Sequence, residues 1–179
     1  LRDFLERAVE HGATHVQICE NLDFIRMEPS LRKVIGKEYA GKIVIETGYK
    51  GHDPVVLSQA LLASADLGAS MMRLVPENPH DRGADIDRIH HDLASLLPLM
   101  EQLHVGLTLE NHFSLHPLEL VELVKRLDSP LVSICFDCFN SITLNVGTFE
   151  ALGIVESYIT RVHVKDVVVS RVGTGFSIK

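Results

Sequence analysis

Val105-Gly-Leu-Thr-Leu-Glu110-Asn111-His112 is an apolar run that stops abruptly at a carboxylate, an amide and an imidazole. A run of that length reads as a buried strand, so its last residues project from the strand's carboxyl end. Two later stretches share the form. Leu131-Val-Ser-Ile-Cys-Phe136 runs into Asp137, and Thr160-Arg-Val-His163-Val-Lys165-Asp166 sets a histidine among β-branched residues. Glu110, Asp137 and His163 are spaced by 27 and 26 residues, the length of a strand plus a helix. If these strands are parallel neighbours, the three side chains stand at one height on a single rim. Two carboxylates and an imidazole form a mixed oxygen and nitrogen donor set suited to a divalent cation such as Mn, Mg, Co or Zn.

Working outward, the same alternation covers the chain. Leu1, Leu5, Ala8 and Val9 have helical spacing, closed by Gly12. Thr14 to Cys19 reads as a strand, Ser30 to Ala40 as a weakly patterned helix, and Lys42 to Glu46 as a strand ending in a carboxylate. Asp53-Pro54 starts a helix that Gly68 closes, since Asp caps and Pro tolerates the first position. Met71 to Val75 is the next strand. A polar loop from Glu77 to Gly83 leads to a long amphipathic helix from about Ala84 to Leu103, with Pro98 as a kink. Further helices are placed from Pro117 and over Phe149 to Tyr158. The tail Val167 to Lys179 is β-prone, with a turn at Gly173-Thr174-Gly175.

Strand-end residues thus fall at 20, 46, 73, 110, 137 and 163. Regular βα alternation implies a parallel sheet with helices outside it. An open sheet would spread consecutive strand ends along a line, whereas a barrel turns them toward one axis. The shared rim favours an α/β architecture of the (β/α)8 barrel type. About six strands are legible, so the reading is one barrel domain over residues 1–179, incomplete at both ends, with the first and last strands missing. Thr14–Cys19 and Thr160–Lys165 are then its edges, and such a piece is expected to be catalytically incomplete.

Composition narrows the function. The chain of 179 residues is long enough for one core, with 46% hydrophobic and 23% charged residues. A formal charge of −7 disfavours nucleic acid as a partner, because phosphate binding needs a basic face. No apolar run is long enough for a membrane span, and three cysteines without a secretory signal point to a reduced, cytoplasmic setting. Oligomeric state is not legible.

Leu109-Glu110-Asn111-His112, Phe136-Asp137-Cys138-Phe139-Asn140-Ser141 and His163-Val164-Lys165-Asp166 resemble the strand-five, strand-six and strand-seven motifs of the sugar phosphate isomerase/epimerase superfamily. This is the xylose isomerase-like barrel group that also contains the AP-endonuclease family 2 branch. The resemblance implies a divalent metal held by Glu110, Asp137, His163 and a glutamate from a last strand not found here. It implies that Asn140 lies near the substrate and that Lys165 and Asp166 support the rim. It implies a small-molecule substrate, a sugar or sugar phosphate. A metal chelated by adjacent sugar oxygens acidifies the intervening C–H, and Glu110 is the candidate acid/base group that removes the proton.

Other residues are read two ways. Arg73 either binds a substrate hydroxyl, carboxylate or phosphate, or forms a structural ion pair. His112 either binds substrate or supports the site through a hydrogen bond. Glu20 and Glu46 read as solvated loop carboxylates. Cys135-Phe-Asp-Cys138 is neither a redox pair nor half of a zinc site, because Cys135 belongs to a core strand and only Cys19 remains. His11, His15, His90, His91 and His104 lack ligand spacing, and Gly173-Thr-Gly175 is too short to cradle phosphate. The rival functions are a keto-inositol dehydratase, a non-catalytic barrel and a DNA-repair endonuclease. Asn140 and Arg73 stand where the repair branch carries histidines, which argues against the last.

Overall fold

The computed structural model describes residues 1–77 and 85–178. The loop beyond Glu77 and the helix start placed at Ala84 lie outside the described residues, as do the Glu20 side chain and Lys179. Six parallel strands hydrogen-bond in sequence order: β1 His15–Ile18, β2 Val44–Lys50, β3 Met71–Val75, β4 Gly106–Glu110, β5 Val132–Asp137 and β6 Ile159–His163. The helices are α1 Arg2–Glu10, α2 Pro29–Tyr39, α3 Pro54–Asp66, α4 Ile86–Leu103, α5 Pro117–Leu127 and α6 Thr148–Val155. A hairpin, β7 Val169–Val172 and β8 Gly175–Ile178, forms a separate antiparallel pair around the turn that Gly173-Thr174 marks.

Local chemistry sets the helix ends. The Asp53 carboxylate accepts the N–H groups of Val55 and Val56 ahead of Pro54, and Gly68 leaves α3 at φ 76°. His116 accepts the Leu118 N–H while Glu119 accepts the His116 N–H at 2.7 Å, a reciprocal cap in front of Pro117. Asp85 caps α4, which continues through Pro98 to a left-handed His104.

Strand period then sorts the side chains. Along β4, Leu107 and Leu109 pack into the core shared with α3, α4 and α5, while Thr108 and Glu110 face the other way. A second apolar cluster joins Leu5, Ile18, Phe24, Ile35, Tyr39 and Ile45 beneath α1 and α2. The other face of the sheet is buried by curvature. Arg161 on β6 donates to Glu46 on β2 at 2.6 Å, although three strands lie between them. In a flat sheet the two strands would be about 19 Å apart. The six strands therefore form a curled half-barrel, with β1 and β6 at its ends.

Two sequence readings need correction. β2 does not stop at Glu46; Thr47, Gly48, Tyr49 and Lys50 pair with Met72, Arg73, Leu74 and Val75. A glycine is required inside this strand, since a Cβ at Gly48 would lie 2.6 Å from the Cys19 sulfur. Glu46 is consequently a buried carboxylate of the inner face, paired with Arg161, and not a solvated loop residue. Arg73 likewise sits in the middle of β3 rather than at its end. Among the described residues, no helix is long and apolar enough to cross a membrane.

Candidate active site

The carboxyl ends of β4, β5 and β6 carry Glu110, Asp137 and His163. Pairing of Glu110 with Cys135, and of Asp137 with His163, staggers them around the curve. One donor atom from each residue lies within 4.8 Å of the others. Two ligands on opposite sides of one ion, each about 2.2 Å from it, stand roughly 4.4 Å apart, so small side-chain adjustments suffice. Glu110 and Asp137 are buried and His163 is half-buried. This donor set fits a divalent cation.

Each carboxylate is oriented by neighbours. Glu110 Oε1 accepts from Asn140 Nδ2 at 3.0 Å, and Oε2 faces Arg73 Nη1 at 3.2 Å and His163 Nδ1 at 3.7 Å. Burial pushes the Glu110 carboxyl up, but the neighbouring His163 imidazole and the Arg73 charge outweigh it, so its pKa is lowered. Asp137 Oδ1 accepts the N–H groups of Phe139 and Asn140, while Oδ2 lies 2.9 Å from Lys165 Nζ. Lys165 also donates to Asn140 Oδ1 at 2.6 Å. Asn140 therefore links the two carboxylate systems. Arg73, Asn140 and Lys165 all join the cluster.

The hydrogen bonds of His112, read either as a substrate ligand or as a hydrogen-bonding support, and of Asp166, read as supporting the rim, lie outside the Glu110–Asp137–His163 cluster. His112 turns toward Glu77, its Nδ1 lying 2.8 Å from Glu77 Oε2. Asp166 is exposed, and its carboxylate accepts the N–H of Val167. Burial and the nearby carboxylate of Glu110 push the Cys135 thiol up to about 12, which suits a core thiol and not a redox centre.

Sequence reading overlooked Asn111 and Glu77. The Asn111 side chain accepts the Asp137 N–H at 2.6 Å and donates to the Asp137 carbonyl and to Ser141 Oγ, both at 2.9 Å. It clamps the end of β5 to β4, and its place in Glu110-Asn111-His112 was the available signal. Glu77 accepts the N–H groups of Phe113 and Ser114 and pairs with Lys50, pinning the loop after β4. No periodicity announces it. Burial raises the Glu77 carboxyl, but the hydrogen bonds of His112, Ser114 and Phe113 prevail and hold it at about 2.

A carboxyl depressed on folding stabilises the fold above its unfolded pKa and loses that contribution as pH falls through the folded value. Glu77→Gln is expected to cost about 2 kcal/mol at pH 7. The deficit should shrink as pH falls from about 4.5 toward 2, where wild-type Glu77 also becomes neutral. Urea midpoints at pH 7 and pH 3 check this, and an equal deficit at both would exclude the ionised carboxylate as the cause.

The sequence pattern of the family described as xylose isomerase-like TIM barrel matches residues 56–175. The uncharacterised protein YihM of Escherichia coli K12 is 29% identical over 137 residues, covering 76% of this chain and 41% of YihM. The 3-oxo-isoapionate decarboxylase of Pectobacterium atrosepticum is 25% identical over 172 residues, 96% of this chain and 62% of that enzyme. The chain thus spans less than two thirds of the length of both relatives, 41% of one and 62% of the other. A crystal structure of D-psicose 3-epimerase in the presence of D-fructose superposes with a TM-score of 0.77 at 14% identity. That match covers 90% of this chain and 66% of the epimerase, and it is a likeness of fold.

Proposed function

From the premise that the chain belongs to the xylose isomerase-like TIM barrel family, we propose a metal-dependent isomerase or epimerase acting on a sugar or sugar derivative. The observation that carries this reading is the convergence of Glu110, Asp137 and His163 donor atoms within 4.8 Å at adjacent strand ends. These three residues would hold a divalent cation. Bound there, the cation supplies Lewis acidity to adjacent carbonyl and hydroxyl oxygens of the sugar.

The chain's own groups then do the rest. Glu110, kept ionised by Arg73 and His163, is available to accept the proton of the C–H between those oxygens. Asn140 fixes the position of Glu110 Oε1 through its amide, and Lys165 fixes Asn140 from the other side. Asn111 holds the backbone of Asp137, so the two carboxylates keep their relative height. Curvature of the sheet excludes bulk water from beneath the site and strengthens these charge interactions. Return of the proton to the neighbouring carbon gives isomerisation, and return to the other face gives epimerisation.

A second reading is decarboxylation of a 3-oxo acid, favoured by the relative aligned over 96% of the chain. Loss of CO2 from such an acid leaves an enolate, which the same Lewis-acid site would stabilise without a base. Product analysis separates the two: an isomer carrying solvent deuterium, or released CO2.

The test of the metal reading is Mn2+ titration of wild type and His163→Ala. Loss of an imidazole ligand is expected to weaken Mn2+ binding by about 100-fold, and activity should fall with it. Unchanged Mn2+ affinity would remove His163 from the ligand set.

A further inference from the structure

Every side chain that the cluster has so far brought together is polar: Glu110, Asp137 and His163, with Arg73, Asn140 and Lys165 around them. Such groups recognise hydroxyl and carbonyl oxygens. A sugar also presents faces of C–H groups, and a binding site needs apolar surface to receive them. Among the described residues of the loops that follow β4 and β5, the large apolar side chains most open to solvent are Phe113 and Ile142, 50% and 36% exposed. An exposed aromatic residue is ordinary by itself. Phe113 differs in how firmly it is held. Glu77 Oε1 accepts its N–H at 2.8 Å and that of Ser114 at 2.9 Å, and Leu115, two residues on, is buried.

The ring also has a backing. Its centroid lies 3.8 Å from that of the His112 imidazole, with the two planes tilted by 35°. The imidazole is fixed in turn by Glu77 Oε2 at 2.8 Å, and it stands close enough for its charge to act on Glu110. One carboxylate, Glu77, thus sets both the Phe113 backbone and the ring behind it. Resting on the sugar reading above, we propose that Phe113 is a specificity-determining residue, an aromatic wall on which the C–H face of a sugar ring stacks while the sugar's oxygens turn to Glu110, Asp137 and His163. A closed ring offers that face as one flat patch. An open-chain polyol holds no such patch.

The chain contains no tryptophan, so Phe113→Trp places a single indole at the wall, and its fluorescence reports contact with a sugar directly. Phe4→Trp, on α1, is the control. Both are loaded with Mg2+, which does not quench indole emission as Mn2+ does, and titrated with D-fructose, D-xylose, D-sorbitol and xylitol. At least one of the two sugars is expected to change the Phe113→Trp emission saturably, with neither polyol doing so and Phe4→Trp silent. Calorimetry on Mg2+-loaded wild type, Phe113→Ala and Phe113→Tyr gives the size of the effect. Phe113→Ala should bind that sugar about tenfold more weakly with Mg2+ affinity retained, and Phe113→Tyr, which keeps the ring, should stay within about threefold of wild type.

A sugar bound equally by wild type and Phe113→Ala would overturn the role of Phe113 and leave the sugar reading standing. So would an emission that ignores both sugars, or that responds equally to the polyols or in Phe4→Trp. Wild type that takes up Mg2+ but neither sugar would refute the sugar reading and the wall with it, and wild type that takes up no Mg2+ would refute the metal reading as well. Should Phe113→Ala not fold, the Phe113→Trp emission decides alone.

Discussion

Glu110→Gln should lower turnover by about 10³-fold or more while leaving the fold intact. The amide is nearly isosteric, and the surrounding core does not change. It cannot accept the substrate proton, a contribution worth about 10²–10⁴-fold in general-base catalysis. It also withdraws an anionic donor from a cluster whose atoms all lie within 4.8 Å. Both losses act on the same step, so kcat should fall more than KM rises. The measurement is steady-state kinetics on the sugar or sugar acid that wild type converts, beside circular dichroism of both proteins. Turnover within fivefold of wild type would mean that Glu110 is neither base nor ligand.

Arg161→Met carries the second large effect, this time on stability. Removing the guanidinium leaves Glu46, whose side chain is only 8% exposed, without the partner that donates to it at 2.6 Å. An uncompensated buried carboxylate costs about 3–5 kcal/mol; Arg161 is 37% exposed, so solvent screening brings the figure to about 2–3 kcal/mol. The loss should be read from urea unfolding at neutral pH. Adding Glu46→Gln to the variant should recover part of it, because a neutral amide tolerates the apolar neighbour better than a charge. A loss below about 0.5 kcal/mol, ordinary for a surface substitution, would mean that the bridge does not hold the curve.

Several features were legible from side-chain pattern alone, because they depend on near neighbours in the chain. Asp53-Pro54 and Pro117 mark helix starts through bonds that span three residues. Alternation along β4 sends Leu107 and Leu109 to the helices and Glu110 to the opposite face by strand geometry. Recurrence of polar residues at the ends of β4, β5 and β6 announced the cluster, since parallel neighbours in sequence order keep such ends together. Asn140 and Lys165 travelled with those motifs and do join the cluster.

Other features arise from contacts between distant residues, which no local pattern encodes. Glu46 looks like a strand-ending surface carboxylate until Arg161, 115 positions away, reaches it across the curl. Gly48 carries no signal in the sequence, and only the fold shows the Cys19 sulfur and the Arg73 guanidinium occupying the space its missing side chain provides. His112 shares a motif with Glu110, yet Glu77 draws it aside with a 2.8 Å hydrogen bond. By itself the sequence determined the order of elements, the parallel sheet and the rim on which Glu110, Asp137 and His163 stand, because strand and helix periods repeat locally. Only the tertiary structure decided which charge pairs with which, since curvature of the sheet sets those distances and burial sets their strength.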